Sequence, residues 1–252
     1  MNFKRRHTRE PICPDTNSPA AGRLKIGFVG MSAGAGATTL AFAAAEYIAA
    51  RLPGRAVTLL ELDMRASAPA GRPYDKVGID RRFAGRDYIS FFRLAAEGRP
   101  LGGAVNMDGG INWALRVPGE HGPAPCAATL HRLLNNVSGD IIICDISPHE
   151  HLSGMLADLS CIICIFDPLP SRLLASVPAA EACRAAAAAG IPATWVFNKL
   201  NAGVNLREAT RFTGISNYIP IPAIPAETVY AAEYACRSLA AELTQSLATL
   251  FK

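Results

Sequence analysis

The 252-residue sequence has no apolar run near the roughly 18 residues that a membrane-spanning helix requires. Its longest candidate, CIICIF, stops at Asp167. The N-terminus carries charges but no apolar stretch behind them, so no secretory signal is expected. Charge is short of any strong bias: 25 basic against 21 acidic residues leave +4. Residues 1–23 hold Lys4, Arg5, Arg6, Arg9 and Arg23 against Glu10 and Asp15, five basic to two acidic, so the rest is nearly neutral. That excludes an argument from bulk charge for nucleic-acid binding by the body of the chain. Seven cysteines cannot all pair within one chain, and Cys144, Cys161 and Cys164 lie inside apolar runs. Reduced core thiols and a cytoplasmic location are expected rather than a disulfide framework. No Ser/His/Asp arrangement is visible among the five histidines, and their one close pair, His149-Glu150-His151, has no further ligand cluster nearby.

What is present is an alternation of short apolar runs and helical patterns. Ile26–Val29, Ala56–Leu62, a run from Ile111, Ile141–Cys144, Ser160–Phe166, Ala193–Lys199 and YIPIP read as strands. Helices are predicted from Thr38, over about 88–97, over Ala127–Asn135 and Val177–Ala189, and in a C-terminal stretch with Cys236, Leu239, Leu243, Leu247 and Leu250 on one face. Nearly all-apolar strands alternating with helices predict an α/β fold, a doubly wound, mostly parallel sheet covered on both faces. Residues 1–22 read as a flexible basic arm and 23–252 as a single domain. The arm is either a solvated tail or a weak electrostatic tether to DNA or membrane. Cys161 and Cys164 form a CxxC, but positions three apart on a strand point to opposite faces. Arg81, Arg82, Arg86, Arg93 and Arg99 are expected on a solvated, salt-bridged surface, with a partner, DNA or membrane patch as the alternative.

The stretch from Lys25 to Leu52 organises the rest. A buried strand runs into a glycine turn with Gly30, Gly34 and Gly36, and a helix follows at once. Strand, glycine loop and helix N-terminus form a phosphate cradle, because inward-turned backbone N–H groups and the helix dipole both favour an anion. The usual pattern is GxxxxGK[ST], with the lysine on the terminal phosphates and the hydroxyl on magnesium. Here Ala37 follows Gly36, while Thr38 keeps the hydroxyl and Thr39 succeeds it. Asp63 and Asp145 end apolar strands, where open α/β sheets bind ligands.

Together these elements resemble the MinD/ParA-type ATPases with a deviant Walker A motif, including pilus-associated and CobQ-like relatives, from about Lys25 to the C-terminus. The family loop xKGGxGKTT is similar to MSAGAGATT, Met31 to Thr39. Gly34, Gly36, Thr38 and Thr39 match. Ser32 stands at the signature lysine and Ala37 at the P-loop lysine. The resemblance implies a P-loop NTPase-like domain that takes ATP or ADP with Mg²⁺. It implies a nucleotide contact from Gly34, Ala35, Gly36, Ala37, Thr38 and Thr39, a metal role for Thr38 and Asp145, a water-positioning role for Asp63, and an adenine contact from Asn198. It also implies a homodimer or another protein partner, in which the signature lysine would reach across the dimer. With both lysines absent, the expected function is a non-hydrolysing or weakly nucleotide-binding regulatory or scaffolding protein. The alternative is an active Mg-ATP-dependent ATPase, acting in positioning or partitioning, whose cation comes from Arg65, Lys199 or a partner.

Overall fold

The computed structural model describes residues 22–62, 72–118, 126–149 and 152–251. Residues 1–21 of the basic arm, Asp63, Arg65 and the Glu150-His151 part of the histidine pair lie outside these residues. Among the described residues the elements run β1 (Leu24–Gly30), α1 (Ala37–Arg51), β2 (Val57–Leu62), α2 (Arg72–Lys76), α3 (Ile79–Arg82), α4 (Phe91–Ala96), β3 (Met107–Asp108) and β4 (Ile111–Ala114). They continue with α5 (Ala127–Asn136), β5 (Ile141–Ile146), α6 (Leu152–Leu156), β6 (Cys161–Phe166), α7 (Pro170–Ala175), α8 (Val177–Ala188) and β7 (Ala193–Leu200). Last come α9 (Leu206–Thr213), β8 (Ile219–Pro222), α10 (Ala226–Tyr234) and α11 (Thr244–Leu250).

Among the described residues the strands form one sheet in the order β3-β4-β2-β5-β1-β6-β7-β8, and only the β3–β4 pair is antiparallel. The doubly wound, mostly parallel α/β sheet expected from the sequence is present. Strands β2, β5 and β6 are nearly solid apolar runs because both of their faces are covered. Side chains alternate between two cores. Ile26 and Phe28 of β1 pack with α1 and the C-terminal helices, while Val29 packs with α4, α5, α6 and α8. No helix among the described residues is long and apolar enough to cross a membrane.

Two readings are corrected. The C-terminal stretch is not one helix. Leu239, Leu243 and Leu247 are buried as the spacing predicts, but residues 235–243 turn between α10 and α11. The chain breaks at Cys236, whose φ of 51° is outside helical geometry and whose Cβ and Sγ crowd against Gly78. Arg82 is not a solvated surface charge either. Its guanidinium lies 4.7 Å from the Trp113 ring, pairs with Asp108 at 3.1 Å and Glu46 at 3.4 Å, and donates to the Val77 carbonyl at 2.8 Å. It ties the region after α2 to the sheet, where cation–π contact and a carboxylate partner offset its desolvation. Arg86 and Arg99 do form the expected surface ion pairs, with Asp108 and Glu97.

Candidate nucleotide site

The glycine loop lies at the carboxyl end of β1, between the ends of β5 and β6. The Met31 N–H extends the β1–β6 pairing by donating to the Ile165 carbonyl at 2.9 Å. The loop then turns, with Ala35 N donating to Ser32 O at 3.2 Å. Gly34 (φ 76°) and Gly36 (φ 98°) take up backbone angles that a side chain would strain. Helix α1 starts at Ala37, one residue earlier than the sequence reading, with Gly36 as its N-cap. Gly36 has no side chain to cap this end, no other side chain among the described residues does so, and no acidic residue occupies its first turn. Its leading N–H groups are therefore left to something else, and the macrodipole makes an anion the favoured partner.

Strand pairing brings Thr38 and Asp145 together. In the β1–β5 register Asp145 stands opposite Phe28, at the strand end where α1 begins. Asp145 is buried, and Thr38 Oγ1 donates to its Oδ2 at 2.7 Å. One hydroxyl and one carboxylate suit a hard, largely hydrated cation such as Mg²⁺, which takes its remaining ligands from phosphate and water. Among the described residues no three His, Cys, Asp or Glu side chains group as a metal site.

The loop itself brings no cation. Ala37, at the P-loop lysine position, is buried against Gly30, where an added Cβ would lie 3.3 Å from its own. Positive charge comes instead from neighbouring elements. Between Phe197 and Leu200 the β7–β8 register shifts, and Lys199 adopts a φ of 61°. Consecutive strand residues normally face opposite ways. This bulge lets both neighbours reach the loop: Asn198 Nδ2 donates to the Ala35 carbonyl at 2.9 Å, and Lys199 Nζ donates to the Gly34 carbonyl and pairs with Asp167 at 2.8 Å. Asn198 is thus a loop-fixing residue, a job the sequence did not reveal. On the other side, Lys76 of α2 donates to Thr39 Oγ1 at 2.8 Å and pairs with Glu233 at 2.9 Å. Lys76 was missed because nothing in sequence links α2 to the start of α1.

Ser32 is 5% exposed, and its hydroxyl has no hydrogen-bond partner among the described residues. A buried unsatisfied hydroxyl costs about 1–3 kcal/mol. Ser32→Ala is therefore expected to raise the urea midpoint rather than lower it, with nucleotide absent. The CxxC cysteines sit on opposite sides of the sheet, Cys161 packed against the α1 side and Cys164 in the core under α8. Burial pushes both thiols up, and for Cys164 a hydrogen bond with Cys183 adds to it, so both stay protonated and unreactive.

No protein-family model matches the sequence, and no curated protein sequence matches it. Solved structures do resemble this one. A ParA family ATPase from Chlorobium tepidum aligns with a TM-score of 0.63 at 14% identity, covering 90% of this chain and 95% of that one. The septum site-determining protein MinD from Pyrococcus horikoshii, complexed with Mg-ADP, aligns at 0.61 and 16%, covering 86% and 87%. The MinC:MinD cell division complex of Aquifex aeolicus aligns at 0.62 and 14%, covering 86% and 87%. At such identities the likeness establishes the fold: the chain has the P-loop fold of the MinD and ParA ATPases.

Proposed function

We propose that this chain with the MinD/ParA fold binds a nucleotide weakly with Mg²⁺, does not hydrolyse it, and works as a regulatory or scaffolding domain for a protein partner or a second copy. One observation carries the reading. The Thr38–Asp145 pair and the uncapped start of α1 are intact, while positions 32 and 37 carry serine and alanine. A hydrogen bond to a charged group contributes roughly 1.5–3 kcal/mol, so two missing lysines remove about 3–6 kcal/mol. That is on the order of a hundred- to ten-thousand-fold in affinity. Thr38 and Asp145 would hold Mg²⁺, which when bound neutralises phosphate charge. Backbone N–H groups of Gly34 and of residues 36–39 would hold the phosphates, and Asn198 remains the candidate for contact with the base. Hydrolysis suffers more than binding, because charge developing on a transferring phosphoryl group is normally met by such cations.

Lys199 favours a second reading, an active ATPase with its cation delivered from β7. Holding a non-glycine residue at positive φ costs of order 1–3 kcal/mol and is tolerated where surrounding structure demands it, often at functional sites. Its charge is nonetheless shared with Asp167. Steady-state phosphate release separates the two readings. No Mg-dependent turnover above background is expected from the wild-type chain. Turnover that disappears in Lys199→Met would establish the second reading and end the first.

A further inference from the structure

Three cations reach the loop or the first turn of α1 from outside them, and they differ in what else they touch. Lys76 is matched by Glu233 and Lys199 by Asp167. Arg172 of α7 is the third. A Cβ built on Gly34 would meet its guanidinium at 4.0 Å and no other group that close, chain neighbours aside. Among the described residues Arg172 has no ion-pair partner, and it is exposed.

The fold explains how Arg172 gets there. β6 is the neighbour of β1, with Ile165 beside Gly30, so the chain leaving β6 passes the glycine loop. Asp167 Oδ1 accepts from the Leu169 N–H at 3.1 Å, Pro170 starts α7, and Leu173 anchors the helix in the core at 6% exposure. Successive helix positions are about 100° apart, so anchoring Leu173 leaves Arg172 directed away from that core contact. Gly34 keeps the space between backbone and guanidinium free of a side chain.

Building on the nucleotide reading above, the geometry points to Arg172 as the phosphate-binding cation of this site. It supplies from α7 part of the charge missing at position 37, and it makes the site select ligands by their terminal phosphate, a nucleoside triphosphate over a diphosphate over a monophosphate. A planar guanidinium suits this task, since it donates two parallel hydrogen bonds to phosphate oxygens and never loses its charge. Lys199, tied to Asp167 and the Gly34 carbonyl, holds the loop, and Lys76, tied to Glu233 and Thr39, holds the first turn of α1 behind it.

The test is binding of ATP, ADP, AMP and inorganic tripolyphosphate, each with Mg²⁺, to the full chain and to Arg172→Gln and Arg172→Lys. Calorimetry and thermal shift are the readouts. Because Arg172 is exposed, both variants should fold, which their melting without ligand checks. The wild type is expected to rank ATP over ADP over AMP. Arg172→Gln should weaken ATP and tripolyphosphate about tenfold, the size of one charge-assisted contact, and leave AMP nearly unchanged. Arg172→Lys should recover part of the loss. Arg172→Gln binding ATP as the wild type does would overturn the inference while leaving the nucleotide reading intact. Tripolyphosphate bound through Arg172, with no nucleotide bound, would support the inference and refute the nucleotide reading. If neither ligand shifts the wild-type melting temperature at millimolar concentration, both are refuted.

Discussion

Ala37→Lys is expected to tighten Mg-ATP binding by about ten- to a hundredfold over the wild type, the equivalent of one hydrogen bond to a charged group. The reason is positional. Residue 37 is the first of α1, directly after the Gly36 cap, and next to the Thr38 that bonds Asp145. The rest of the cradle stands ready: the leading N–H groups have no side-chain cap, and both glycines hold their left-handed angles. Adding the ammonium should therefore restore charge without rebuilding shape. Calorimetric titration of both proteins measures the effect. A gain below twofold would mean that cations from other elements already do this work. Repeating the titration in Arg172→Gln and Lys199→Met backgrounds would then identify which one.

Gly36→Ala should be the most damaging single methyl in the loop. Its φ of 98° disfavours any L side chain, by roughly 1–2 kcal/mol. The new Cβ would also stand 2.3 Å from Asn198 Nδ2, a clash that forces the asparagine off the Ala35 carbonyl. Overpacking of this kind adds about 1–3 kcal/mol. Gly34→Ala is the comparison, since that Cβ meets only the far end of Arg172 at 4.0 Å and bears the backbone term alone. Urea midpoints should fall further for Gly36→Ala than for Gly34→Ala. In an Asn198→Ala background the excess should vanish, a coupling that a double-mutant cycle reads directly. Equal losses at the two glycines would show that Asn198 does not brace the loop.

The strands and the cradle could be read from residues because their signals are local. Apolar runs such as IIIC and CIICIF bury on both sides of a parallel sheet, and glycines between a strand and a helix mark a turn that needs left-handed backbone angles. The Thr38–Asp145 pair came from the resemblance to the MinD/ParA ATPases, helped by each residue sitting at the end of an element whose type was evident. Of the outer cations the sequence names Lys199 as a candidate, but its contacts, and the places of Arg172 and Lys76, were not reachable. Arg172 meets Gly34 only because β6 lies beside β1, a matter of strand order that no periodicity encodes. Lys199 and Asn198 reach adjacent carbonyls through a bulge and one positive φ, and an asparagine-lysine pair on a strand would otherwise be assigned to opposite faces. The short helices α6, α7 and α9 have five to eight residues, too few for helical spacing to stand out. Arg82 looked like a surface charge because its aromatic and carboxylate partners come from α1, β3 and β4.

The most direct test is one titration of the wild-type chain with ATP, with and without magnesium. On the proposed reading, a cradle with the Thr38–Asp145 pair but no lysine of its own should bind in the high-micromolar to millimolar range, as expected when about 3–6 kcal/mol is removed from a micromolar site. The affinity should fall when magnesium is withdrawn. Low-micromolar binding that ignores magnesium would contradict both the missing charge and the role given to Thr38 and Asp145.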